Sequence, residues 1–202
     1  MDDLPNNSTF PKTREEWRAW LAENHARIEG VWLVSYKKAS GQSSVDYEAA
    51  VEEALCYGWI DSKGRKLDET RTMLWMAPRK PGSGWSKPNK ERIERMMAAG
   101  KMAEPGLAKI EAAKQDGSWY ALDGVEKLEI PPDLEAALAK YGAAKQNFEA
   151  FPRSAKRAIL EWISNAKRPE TRAKRVEDTA IQAEQNVRAN QWRESREQAN
   201  RE

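Results

Sequence analysis

The sequence predicts an α+β domain followed by a C-terminal helical module. Three observations carry this expectation. Val31-Trp32-Leu33-Val34-Ser35-Tyr36, Trp59 to Lys63 and Thr72 to Ala77 are runs of strand formers. Apolar residues at helical spacing lie between and after them. Pro131-Pro132 is a firm break, and behind it the pattern is of short helices. The resulting division is an N-terminal tail over 1–12 and an α+β domain over 13–124, which holds the motif GWID/PRKPGSGWS. A C-terminal helical module over 125–176 and an exposed helical arm over 177–202 follow.

Taken in order, Thr13-Arg14-Glu15-Glu16 reads as a capping box at a helix start. Trp17, Trp20 and Leu21 give that helix one buried stripe, and it should end near His25. Gly30 punctuates before the strand Val31–Tyr36. After the polar turn Lys37 to Ser44, Ser44 can cap a helix carrying Tyr47, Val51, Ala54 and Leu55, with Gly58 as its stop. Trp59 to Lys63 and Thr72 to Ala77 form an antiparallel pair with a turn around Gly64; the polar segment Arg65 to Arg71 is too long for a two-residue hairpin. Pro78, Pro81, Gly82, Ser83 and Gly84 mark a loop, and Ser86 is the expected N-cap of a helix with Ile93, Met96 and Met97. Pro105 opens another helix, stopped by Gly117, and Ser118 begins a connector to Pro131. Then come helices from Asp133 to Tyr141 and from Arg153 to Ala166. A last helix starts near Glu170, and its small apolar positions (Val176, Ala180, Ala183, Val187) suggest an exposed end.

The 202 residues fit one medium domain, or one domain with an appended helical segment. Nine Trp against three Phe means some indoles should sit half-buried, because a buried N–H needs a partner. The net charge of +2 conceals a pattern: residues 59–101 carry eleven Lys/Arg against five Asp/Glu, and residues 151–202 carry twelve against eight. Such segments favour an anionic partner, or neutralise acidic segments within the fold. A single cysteine, Cys56, excludes an intrachain disulfide framework and a cysteine-based zinc cluster. The acidic N-terminus has no apolar core of a signal peptide, and no apolar run is long enough to cross a bilayer. A cytoplasmic protein without membrane insertion is expected.

The stretch ALCYGWIDS, followed by APRKPGSGWSKPNKERIERM and AAGKM, resembles the YdeI/OmpD-associated family, also called bacteriocin-protection proteins. The run IPPDLEAALA with FEAFPRSAKRAILEWISNAKRPETRAKR looks like the same family's helical tail module. The resemblance spans residues 13–176. It implies the YjbR/CyaY-like superfamily, with a small antiparallel sheet covered by helices. It also implies protection against antimicrobial peptides, and it brings no catalytic residues. A direct porin contact is not expected without an export signal.

The motif supplies the candidate ligand site: Trp59, Asp61, Arg79, Lys80, Trp85, Ser86 and Lys87. The glycines let a backbone approach a ligand, the helix start and the cations offer positive charge, and the indoles could stack on a ring. A Walker motif is absent, and a surface loop in which Ser86 caps a helix explains the same residues. Asp61 could serve as an acid or base, or pair with an arginine such as Arg79. Cys56 and His25 form no convincing nucleophile–base pair, and no cluster has metal-ligand spacing. A basic C-terminal stripe of Lys167, Arg168, Arg172, Lys174 and Arg175 could hold a phosphate backbone. The expectation is a non-enzymatic binding or protection protein with no cofactor and no metal. Its partner would be an anionic small molecule or an acidic protein surface. The alternatives are nucleic-acid binding through the basic segments and an enzyme using Asp61.

Overall fold

The computed structural model describes residues 4–190. The chain divides into two compact units, Met1–Tyr120 and Ala121–Glu202. The first combines a sheet with helices and the second is helical, so the fold is α+β.

In the first unit the capping box forms as read. The Thr13 hydroxyl accepts from Glu16 N (3.2 Å), and the Glu16 carboxylate accepts from Lys12 N (2.6 Å), one residue earlier than the ideal motif. Helix α1 (Arg14–Asn24) then buries Trp17 and Leu21 completely, and the Trp17 indole donates to Ala50 O. The sheet has four strands: β1 (Ser8–Thr9), β2 (Val31–Tyr36), β3 (Trp59–Lys66) and β4 (Arg71–Pro78), in the order β1-β2-β4-β3. It is mixed rather than antiparallel throughout, because β1, inside the expected tail, pairs parallel with Trp32 and Leu33.

Strands β3 and β4 run further than expected. Gly64 is not a turn but lies within β3, past a register shift between Asp61 and Gly64. The reversal comes at Asp68, whose carboxylate accepts from the Thr70 and Arg71 amides at 2.8 and 2.7 Å and from Arg71 Nε at 2.6 Å. Side chains alternate across the sheet. Val31 opposite Met76 and Leu33 opposite Leu74 face the core; Trp32 opposite Trp75 and Val34 opposite Met73 take the other side.

Helix α2 (Tyr47–Cys56) is capped by Asp46, not Ser44. Asp46 accepts from Ala49 N at 2.8 Å, whereas the Ser44 hydroxyl accepts from Tyr36 N. Every residue from Ala49 to Cys56 is buried, Glu52 and Glu53 included. Glu53 takes Arg14 and Arg18 of α1, each at 2.6 Å. Glu48 and Glu52 take Arg95 of helix α3 (Lys87–Ala98) at 2.7 and 2.9 Å. Acids on one helix therefore tie down its neighbours on both sides. Helix α4 (Glu104–Gln115) approaches the end of α2 backbone to backbone. A Cβ on Gly106 would lie 2.2 Å from Cys56 O, so only glycine fits.

The second unit contains α5 (Asp123–Lys127), α6 (Pro132–Leu138), α7 (Ala144–Ala150), α8 (Arg153–Ser164) and α9 (Pro169–Glu184). Its core gathers Leu134, Leu138, Phe148, Ile159, Ile163 and Ala180. Residues 177–184 are not an exposed arm. They continue α9, and the small residues read as a sign of exposure (Ala180 and Ala183) are fully buried, letting α9 pack closely against α6, α7 and α8. Side chains reinforce this contact. Glu177 accepts from the Tyr141 phenol at 2.6 Å, and Glu184 accepts from Ala143 N at 2.8 Å, where α7 begins. The remainder of the expected arm, 191–202, lies outside the described residues.

Candidate functional site

The seven motif residues do not form one ligand surface. Trp59 is a core residue with no accessible surface; its indole donates to His25 O at 3.0 Å and meets Trp20 edge-on. Trp85 is 1% exposed and packs on Trp119, so neither indole can stack on a ligand. Ser86 holds the N-cap position of α3 without a side-chain capping bond. Lys80 and Lys87 are exposed, and Lys87 makes a 3.8 Å ion pair with Glu91.

Asp61 does not pair with Arg79. Its carboxylate accepts from the Tyr47 phenol at 3.0 Å. Burial and the Asp61 charge push the Tyr47 phenol above its ordinary value, so it holds its proton more tightly and supplies no acid tuned to neutral pH. Cys56 is fully buried, and burial pushes its thiol up to about 11, which removes it as a nucleophile. The His25 ring lies by Tyr57 and the carbonyl of Ala22. Among the described residues no group of three His, Cys, Asp or Glu side chains could hold a metal.

Arg79 is the exception within the motif. Its backbone N–H bonds Gly58 O where β4 ends, and its guanidinium lies 3.6 Å over the Trp85 ring. Nη2 donates to the carbonyls of Ser83 and Gly84 in the Pro81–Gly84 loop. The residue is 5% exposed, Nε has no partner, and no carboxylate among the described residues pairs with it. Burial pushes this guanidinium down to about 10. It lines a recess of about 60 Å³ together with Lys80, Ser83, Lys109, Asp116 and Ser118. Asp116 is held below the usual carboxylate range by bonds from Ser118 and Gly82, so the recess carries three cations against one anion.

The basic C-terminal stripe is broken up. Arg172 forks onto Asp133 at 2.7 and 3.0 Å, and Arg175 donates to Trp162 O while lying over the Trp162 ring. Only Lys167, Arg168 and Lys174 of the five stay exposed.

Two features escaped the sequence reading. One is a groove of about 380 Å³ walled by Leu33, Val45, Ala50, Thr72 and Leu74, with Tyr47 at its side. The other is the sheet face bearing Trp32, Tyr36 and Trp75. The alternation of β2 and β4 contained that signal, but the strands' pairing was needed to see which residues meet.

Residues 9–109, half of the chain, match the model described as a domain of unknown function (DUF8412). The chain belongs to that family. The DUF8412 region takes in the sheet, α1 to α3 and the Arg79 loop. Residues 127–186 match a second model, bacteriocin-protection, YdeI or OmpD-associated, which supports the family resemblance through the helical module rather than through the GWID motif. No curated protein and no solved structure matches the chain. Among the described residues no helix is long and apolar enough to cross a membrane.

Proposed function

We propose that this chain is a cytoplasmic, non-catalytic binding protein of the bacteriocin-protection type, and that Arg79 with Lys80 and Lys109 receives a small anion such as a phosphate or carboxylate group. The same reading groups its N-terminal unit with the YjbR/CyaY-like proteins, on the strength of a small sheet with helices packed on one face. The supporting observation is the state of Arg79. A buried charge without a partner is costly, and other buried acids and bases in this unit are matched, as Glu53 is by two arginines. Arg79 lacks such a match and opens onto a recess with two further cations. An anion there would gain charge-assisted hydrogen bonds in a site already shaped by Trp85 and the loop carbonyls.

The test is thermal unfolding in inorganic phosphate against chloride at matched ionic strength. Phosphate at 100 times its dissociation constant should stabilise the fold by about 2.7 kcal/mol. Lys80→Ala and Lys109→Ala should weaken the effect without harming the fold, and Arg79→Lys should reduce it further. Identical melting in phosphate and chloride refutes the reading.

A further inference from the structure

We infer that the aromatic outer face of the sheet is a binding surface for single-stranded nucleic acid, separate from the Arg79 recess. The alternation of β2 sends Val31 and Leu33 into the core and turns Trp32, Val34 and Tyr36 the other way, where Val34 is covered by its neighbours and Trp32 and Tyr36 keep part of their surface exposed. Strand β4 does the same, with Leu74 and Met76 inward and Met73 and Trp75 outward. The core that includes the sheet's inner face draws residues from α1, α2, α3 and α4, and the outward residues belong to no core cluster.

The outward face is aromatic. Trp32 lies across from Trp75 with ring centroids 5.1 Å apart at 68°, and Phe10 meets Tyr36 at 5.1 Å and 58°. Trp32 and Tyr36 are four residues apart on one strand, so the two aromatic pairs are spaced by about 13 Å along it. All four rings are partly exposed. Trp75 is also held in place. Its ring lies against Gly30, where a Cβ would come within 2.7 Å of the indole.

The same face is cationic. Lys63 lies 5.6 and 5.8 Å from the Trp32 and Trp75 rings, Arg65 lies 5.4 Å from Trp32, and Lys12 lies 3.1 Å from Phe10. None of these three has an acidic partner among the described residues. The nearby acids are committed elsewhere: Asp61 to Tyr47, Asp68 to Arg71 and Glu69 to Lys66. Helix α2 pairs its glutamates with arginines of α1 and α3, so those cations are neutralised, whereas Lys12, Lys63 and Arg65 keep their charge beside the rings.

Stacking rings with cations at their edges match one class of partner well. Bases have π-faces whatever their sequence, and the phosphates between them need positive charge. A duplex hides its base faces and cannot use the rings. A polyanion without rings, such as polyglutamate, supplies the charge but nothing to stack.

The test uses the full chain and a fluorescein-labelled oligothymidylate of roughly 16 nucleotides, the upper end of single-strand site sizes. Anisotropy should show binding whose log K falls with log salt at a slope of about −2, from about −0.7 for each of three phosphate contacts. Trp32→Ala and Tyr36→Ala should each weaken binding by about 5- to 150-fold, the range for loss of one stacking ring. Trp32→Phe should recover most of the loss, which separates stacking from general damage to the fold. Lys63→Ala with Arg65→Ala, both at exposed positions, should bring the slope to about −0.7 while leaving the melting temperature in place. Lys80→Ala should change nothing. No binding at the lowest salt, wild-type binding by the Lys63/Arg65 double variant, or equal affinity for a duplex or for polyglutamate would each overturn the inference.

Discussion

Replacing Glu53 by alanine should destabilise the N-terminal unit more than any surface change. The Glu53 side chain is 1% exposed and receives Arg14 Nε and Arg18 Nη1, both at 2.6 Å. Removing one member of a buried pair costs about 3–5 kcal/mol, because it strands the charge left behind. The two arginine side chains are 29% and 34% exposed, so they regain part of their hydration. The lower end, about 3 kcal/mol, therefore applies. At about 2–4 °C per kcal/mol for a chain of this size, the midpoint should fall by roughly 6–12 °C. Tryptophan fluorescence is the right probe, since all but Trp162 and Trp192 of the nine indoles precede Ala121. With two compact units, this signal isolates the transition of interest from that of the helical unit. Glu53→Gln keeps the shape and one acceptor and should fall between the two. A Glu53→Ala loss of under about 1 kcal/mol, the value of an exposed pair, would refute the claim that this carboxylate holds α1 to α2.

Gly106→Ala should cost about 1–3 kcal/mol or more in urea unfolding, because the added methyl meets backbone atoms of Cys56 and Leu55 that cannot turn aside; wild-type stability would mean the helices separate easily. Cys56 should resist iodoacetamide at pH 8 until the chain is unfolded, as its thiol is buried and pushed up to about 11; rapid labelling of the folded protein would contradict this. The same shift predicts loss of stability as pH rises past about 8.5, where the unfolded thiol ionises and the folded one does not. On the acid side, Glu48, Asp133 and Glu177 are held below their ordinary range by Arg92, Arg172 and Tyr141 respectively. Their stabilisation is complete above the unfolded carboxylate values near 4 and disappears as pH falls through the folded ones. Melting temperatures should therefore be flat from about pH 5 to 8 and decline on both sides.

Elements with long periodic patterns were legible in the sequence. The capping box, the Val31–Tyr36 strand and the helices beginning near Lys87 and Arg153 could be read because propensity, caps and burial pattern agree there. Helices α5 and α7 could not, being five and seven residues long and so too short to show a period; α6 is as short as α7, but Pro131-Pro132 marks its start. β1 was hidden for a similar reason, with only two residues that pair through a distant strand. Over 177–184 the expected exposed arm was misjudged because small side chains were taken as a weak core, when they allow close helix packing. Within the motif, side-chain direction separates the indoles from the cations: the reading of Trp59 and Trp85 as stacking rings fails, while Arg79 and Lys80 meet at one recess. Trp59 and Trp85 have the composition of a stacking site and the positions of core residues. The partly exposed indoles, Trp32 and Trp75, come from segments 43 residues apart, and only strand pairing brings them together.

The bonds from α9 back to the start of α7 bear on how this chain is made. Glu184 supplies the acceptor for Ala143 N, and Ala183 O receives the Asn147 amide at 2.9 Å. During synthesis these partners emerge some forty residues after the helices they complete. Helices α6 and α7 can form early, yet their shared apolar face stays open until α9 arrives. The helical unit can therefore finish folding only once Glu184 has emerged, and a nascent chain stalled before that point would present Leu138 and Phe148 to whatever chaperone is at hand.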